Sequence, residues 1–294
     1  MKRRWQLLNV RKAVVAGQFY ESNSKKLMEQ IRQCFLHELG PRELPKTEIS
    51  PKRASLGFVV PHAGYVYSGP AAAHAYYTLS LEKKPTSIVL VGPNHTGIGP
   101  SVSIYPDGLW ETPLGRVPVD AELAKLVIEK SRFARLDTTA HEYEHSLEVQ
   151  LPFLQYIFGA DFSIIPIAIL NQTPRVAEDL AKAILSAIQT LKRDLSEIVV
   201  IATSDLTHYE PHDTAYRKDQ LVIEKIIGLD PEGLFKVVVE KDISMCGPGS
   251  AMMLMYLARA VGAGGARLLK YMTSGDVTGE RSWVVGYASI QILR

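Results

Sequence analysis

Cysteine is nearly absent from this chain, with Cys34 and Cys246 the only two in 294 residues. A protein of this length with two cysteines is not held by a disulfide framework, which points to a reducing, cytoplasmic setting. An excess of one charge is lacking too: 33 basic against 31 acidic residues leave a formal net charge of +2. That balance gives no electrostatic footprint for nucleic acid or an anionic membrane. No apolar run approaches the roughly 18 residues that a membrane span needs. The apolar stretch after Met1-Lys2-Arg3-Arg4 breaks at Asn9, Arg11 and Lys12, too early for a signal core. Repeats and low-complexity tracts are missing as well. What is present is 46% hydrophobic and 22% charged residues, ordinary globular material read as one domain over residues 1–294.

Strands and helices alternate along most of the chain. Apolar residues at Leu27, Ile31, Cys34 and Phe35 predict a helix from Ser24 to Leu39, stopped by Gly40-Pro41. The unpatterned segment from Gly40 to Arg53 reads as a surface loop. A strand follows over Leu56 to Val60, and Ser68-Gly69-Pro70 has the Ser and early Pro that open a helix continuing over Ala71 to Leu81. Ile88 to Val91 is a second strand, stopped by Gly92-Pro93. Short strand character recurs near Val102 to Tyr105, then a turn-rich segment contains Thr112-Pro113-Leu114-Gly115. A helix is expected from Asp120 to Lys130, and another, kinked or late because of Pro152, within His145 to Phe158. Val176, Leu180, Ile184, Ile188 and Leu191 form one helical stripe between strands at Phe162 to Leu170 and Ile198 to Ala202. Helices at 214–227, 231–241 and 249–261 and strands at 268–272 and 283–293 complete the pattern. It predicts an α/β fold with a mainly parallel or mixed central sheet and helices on both faces.

Three strands end in polar clusters: Pro61-His62, Asn94-His95, and Ser204-Asp205 with Thr207-His208. Ligands bind at the carboxyl edge of such sheets. Two histidines from adjacent strand ends can share a metal there, with Asp205 and His208 as further ligands or as acid and base. Cys246 lies in a loop before a helix, where the dipole favours a thiolate able to complete a two-histidine, one-cysteine site. His141-Glu142-Tyr143-Glu144-His145 matches the H-E-x-x-H pattern of zinc hydrolases. That pattern needs an established helix, however, and the apolar stripe starts only at Leu147. The alternative is that Glu144, His145 and Glu148 stand at a helix start behind the site, with His145 a further candidate for proton transfer. Tyr65 and Tyr67 are candidates to line a cleft beside His62.

The motifs taken together resemble those of the Memo family, also called AmmeMemoRadiSam system protein B. The resemblance rests on Ala16-Gly17-Gln18-Phe19-Tyr20, Pro61-His62-Ala63-Gly64-Tyr65, Gly92-Pro93-Asn94-His95, Thr112-Pro113-Leu114-Gly115, Glu144-His145-Ser146-Leu147-Glu148, Ser204-Asp205 with His208, and Cys246-Gly247. It implies a fold similar to class III extradiol dioxygenases, whose non-haem iron sits on two histidines and a glutamate. His62 and His95 match the two histidines, and Cys246 takes the third place. The softer thiolate shifts preference toward copper or a differently poised iron and away from ordinary ring cleavage, with zinc a further metal to weigh. The resemblance thus implies a metal-dependent redox enzyme, in which His208 is expected as general acid or base with Asp205 orienting it, acting on a small molecule or peptide and functionally partnered by a radical-SAM protein. The rival expectation is a non-catalytic module binding a peptide or small anion in the same cleft.

Overall fold

The computed structural model describes residues 9–46 and 50–294, so the basic N-terminal residues 1–8 and part of the predicted 40–53 loop lie outside it. Among the described residues, the chain runs through twelve strands and nine α-helices. The strands are β1 Val10–Arg11, β2 Ser55–Val60, β3 Ser87–Pro93, β4 Val102–Ile104, β5 Leu109–Thr112, β6 Gly115–Pro118, β7 Ala134–Leu136, β8 Ser163–Ile169, β9 Ile198–Thr203, β10 His208–Glu210, β11 Gly265–Thr273 and β12 Val284–Leu293. The helices are α1 Ser24–Leu36, α2 Tyr65–Ser80, α3 Ala121–Lys130, α4 Leu151–Phe158, α5 Pro174–Thr190, α6 His212–Ile227, α7 Pro231–Glu240, α8 Pro248–Ala260 and α9 Ser274–Thr278.

Nine strands make one mixed sheet in the order β10-β12-β2-β9-β3-β8-β4-β7, with β11 also on β12. Its centre, β2-β9-β3-β8, is parallel, while β12 and β4 join antiparallel on either side. The continuous apolar runs follow from burial on both faces. Along β3, Val89 and Val91 enter the core under α3, α5 and α8, whereas Ile88 and Leu90 enter the one under α1, α2 and α4. Along β9, Val200 and Ala202 divide from Val199 and Ile201 in the same way.

Three local readings change. Helix α2 opens at Tyr65 rather than at Ser68, so Pro70 sits in its second turn at the cost of one helical hydrogen bond. The turn-rich segment holds a hairpin, with β5 and β6 joined at Pro113-Leu114 and β1 pairing parallel to β5. Finally, β9 lies between β2 and β3, so His62 and His95 leave strands that are not neighbours. With strands about 4.8 Å apart, the two imidazoles must reach toward each other across the end of β9. The long α2 crossover from β2 to β3 skips the intervening place, and the crevice opens where that order is broken.

Candidate metal centre

At the carboxyl edge, the loops after β2, β3 and β9 meet the Cys246 turn that precedes α8. The backbone N–H of His62 donates to Asp205 Oδ1 at 2.8 Å. The His62 Nδ1 bonds to the Thr203 hydroxyl, whose own proton goes to the Ser146 carbonyl at 3.4 Å. The hydroxyl therefore accepts from Nδ1–H, and the Nε2 lone pair of His62 is left facing Cys246 Sγ at 3.1 Å. His95 is held the same way, by Nδ1 against Glu144 Oε1 at 2.9 Å and by its backbone N–H against Oε2 at 2.5 Å. His208 donates from Nδ1 to the Ser244 carbonyl at 2.8 Å. All three imidazoles thus have Nδ1 tied off and Nε2 free, the arrangement found behind metal-ligating histidines.

One donor atom each from His62, His95 and Cys246 lies within 4.8 Å of the others. A second group, His95, Glu144 and His145, meets the same limit and shares His95 with the first. The His95 and His145 rings stack at 4.6 Å. A metal about 2.1 Å from nitrogen and 2.3 Å from sulfur separates its donors by roughly 3.6 Å. The first cluster therefore fits an ion with only small side-chain movement. Two of its three donors, His62 and His95, line an open cleft.

Electrostatics agree on the imidazoles and correct the expectation for the thiol. Burial drives His62 well below the usual imidazole value, with the neighbouring His145, His95 and His208 adding to the effect. Burial likewise brings His145 down to about 4. Both rings are thus neutral and able to ligate. Glu144 is pushed up by burial, but the hydrogen bond and charge of His95 and the Ser146 N–H outweigh that and hold it at about 2. Cys246, expected as a thiolate from its place before α8, is instead pushed up by burial and by the Asp205 charge. Asp205 is itself raised to about 6 by burial, against the pull of the His62 N–H. Dipole stabilisation at a helix end is smaller than the cost of desolvating a thiolate. A bound cation would reverse that balance, because a thiol that coordinates a metal does so as the thiolate and releases its proton to solvent.

A cleft of about 650 Å³ opens over His62, His95, His145, Asp205 and His208, with Phe19, Tyr67 and Tyr209 among its walls. Tyr67 lines it as expected, but Tyr65 is buried and donates to the Val149 carbonyl at 2.6 Å. Asp205 binds the His62 backbone while Ser244 holds His208, so Asp205 does not orient His208 by a hydrogen bond. The zinc-hydrolase pattern fails. His141 is fully buried in a 3₁₀ turn, with Nε2 3.3 Å from the Ser103 carbonyl and its ring against Tyr105 and Trp110. Residues 142–147 are not helical, so His141 and His145 do not share a helix face.

Sequence reasoning missed Thr203, Ser244 and the part played by Arg11. Thr203 has a signal, as the last residue of a strand ending in a polar cluster; Arg11 has none. Its guanidinium pairs with buried Glu148 and donates to the Glu144 and His141 carbonyls, at 2.6 and 3.0 Å. Glu148 also accepts from Tyr20 Oη at 2.6 Å and from the backbone N–H groups of Val14 and Val15. The segment bearing Glu144 and His145 is thereby lashed to the first described strand.

Fold and site together define a mixed-sheet α/β protein with a His/Cys cluster able to hold a metal at the edge of its parallel strands. The chain belongs to the Memo family: the model of the Memo-like protein family matches residues 11–291. It is 52% identical over 282 residues to a MEMO1 family protein of Ignicoccus hospitalis, covering 96% of this chain and 98% of that one. A MEMO1 family protein of Sulfolobus acidocaldarius is 50% identical over 284 residues, covering 96% and 99%. Among solved structures, an uncharacterized Escherichia coli K12 protein superimposes with a TM-score of 0.55 at 16% identity, over 82% of this chain and all of the other. That likeness concerns the fold alone. Among the described residues, no helix is long and apolar enough to cross a membrane.

Proposed function

We propose that this chain is a cytoplasmic, metal-dependent redox enzyme in which His62, His95 and Cys246 hold iron(II) or copper, with zinc as the competing ion. The observation that carries the reading is the convergence of three donors from three separate loops, both imidazoles presenting Nε2 because Thr203 and Glu144 occupy Nδ1. A soft thiolate beside two imidazoles selects for copper or iron over the hard divalent ions. Bound there, the metal supplies the electron exchange with O2 that side chains cannot provide. The protein's own groups handle protons and position. His208, fixed through Ser244, turns Nε2 as a proton acceptor toward the cleft. His145, neutral at physiological pH, is the second acceptor on the cleft wall. Asp205 holds the His62 backbone in place and, with a value near 6, can carry or release a proton close to neutrality.

The test is anaerobic loading with Fe(II) or Cu followed by metal analysis of the wild type, Cys246→Ala and His95→Ala. Near-stoichiometric metal in the wild type and its loss in both variants is the expected result. Unchanged metal content in both variants would sink the ligand set. The rival reading, a non-catalytic binding module, draws on the exposed aromatic rings at the cleft mouth. It predicts ligand binding that survives chelation, with no O2 consumption under any metal.

A further inference from the structure

The mouth of the cleft carries aromatic rings that the core does not use. Trp283 is 68% exposed, Tyr209 70% and Tyr67 46%, and all three line the cleft. Rings of this size usually bury most of their surface, so a set of them left open around one cavity marks a binding wall. Tyr209 is held there by its backbone. Its φ of 56° lies in the left-handed region that an aromatic residue rarely enters. It also sits where the pairing of β10 with β12 shifts register, between His208 and Glu210. Such a bulge re-aims a side chain away from the strand ladder. Glu210 lies opposite Val284, so Trp283, the residue just before β12, stands beside the same bulge. The buried Tyr287 lies beneath, with Asp205, Tyr67 and Tyr209 all close enough to perturb its phenol.

Asp205 and Glu280 line the cleft, and among the described residues no Lys or Arg does. Glu280 is kept ionised by the Ser282 N–H at 2.7 Å. Its basic neighbour Arg281 lies outside the lining and approaches Asp276 at 3.5 Å. A phosphate or carboxylate at the mouth would find no Lys or Arg counterion in the lining. A cation would find both π faces and a carboxylate, the combination by which aromatic cages take ammonium groups.

We propose that the cleft recognises an organic cation, an ammonium or guanidinium group on a compact apolar body, with Trp283, Tyr209 and Tyr67 supplying π faces and Glu280 the countercharge. The inference names the ligand class of the cleft; it rests on the redox reading only for calling that ligand a substrate. Calorimetric titration of the full, metal-free chain with benzyltrimethylammonium, benzyl alcohol and phenyl phosphate tests it. The ammonium compound is expected to bind at least about tenfold more tightly than the alcohol, and the phosphate to give no binding heat. Trp283→Ala and Glu280→Gln, both at exposed positions, each weaken ammonium binding by about tenfold while circular dichroism stays unchanged. The proposal is overturned if none of the probes binds, if the alcohol or phosphate matches the ammonium, or if both variants bind like the wild type. Because the titration contains no metal, loss of the redox reading through unchanged metal content in His95→Ala leaves this result standing, and the reverse holds equally.

Discussion

Asp219, on α6, is a carboxylate with no solvent exposure, set behind the loop that carries His208. Its Oδ1 accepts the Thr207 N–H at 2.9 Å and its Oδ2 the Tyr271 hydroxyl at 2.8 Å. Gly286 packs so tightly that a Cβ there would meet Oδ2 at 1.8 Å. Burial raises the carboxyl from 3.8 to about 6, although the Thr207 and Tyr271 hydrogen bonds and the His208 charge pull it down. At about 1.4 kcal/mol per pH unit, ionising Asp219 inside the fold costs roughly 3 kcal/mol more than ionising it in the unfolded chain. The folded value lies above the unfolded one, so the stability due to the neutral acid is full below 3.8 and is lost as pH rises through about 6. Asp219→Asn keeps the shape and the acceptor for Thr207 but cannot titrate. In denaturant titrations, the stability of the wild type relative to this variant should fall by roughly 2.5 kcal/mol between about pH 4 and about pH 7.5. Parallel stability curves for the two proteins across that interval would refute the reasoning.

Three further outcomes are expected. Glu144→Gln, which removes the charge behind the His95 Nδ1 without changing its size, should weaken metal binding about 10- to 100-fold in chelator competition while thermal unfolding stays cooperative. Wild-type affinity in this variant would show that Glu144 does not tune the ligand. Glu148→Ala leaves the Arg11 guanidinium buried and unpaired, so chemical denaturation should report a loss of roughly 3–5 kcal/mol; a loss under 1 kcal/mol, about the value of an exposed pair, would rule out the buried linkage. His141→Ala should leave metal stoichiometry unchanged, since the ring faces Ser103, Tyr105 and Trp110 rather than the cleft. Metal lost with His141 would revive the H-E-x-x-H reading.

Much of the architecture was legible because burial writes itself into local pattern. The branched runs ending at Val91 and Ala202 read as strands covered on both faces, and the stripe from Val176 to Leu191 read as a helix. Short elements were not legible. β5 and β6 are four residues each and carry turn residues at their junction, so their pairing depends on contacts rather than periodicity. Pro70 suggested a helix start because proline favours first turns, yet packing of α2 against α1 and the sheet carries the helix back to Tyr65.

At the site, the sequence by itself determined which residues stand where strands stop, and so put His62, His95 and Asp205 forward as candidates, and put Cys246 forward from its loop before a helix. Only the tertiary structure decided that β9 inserts between β2 and β3, that Glu144 and Thr203 tie off the two Nδ1 atoms, and that Ser244 rather than Asp205 holds His208. It also reversed the sign expected for Cys246, since position before a helix is local while desolvation depends on everything packed around the sulfur. Strand ends and helix starts are set by neighbours a few residues away. Sheet order, burial and the partners of a ring nitrogen arise between segments tens to more than a hundred residues apart, as with His208 and Ser244, His95 and Glu144, and His62 and Thr203, and no short-range pattern encodes them.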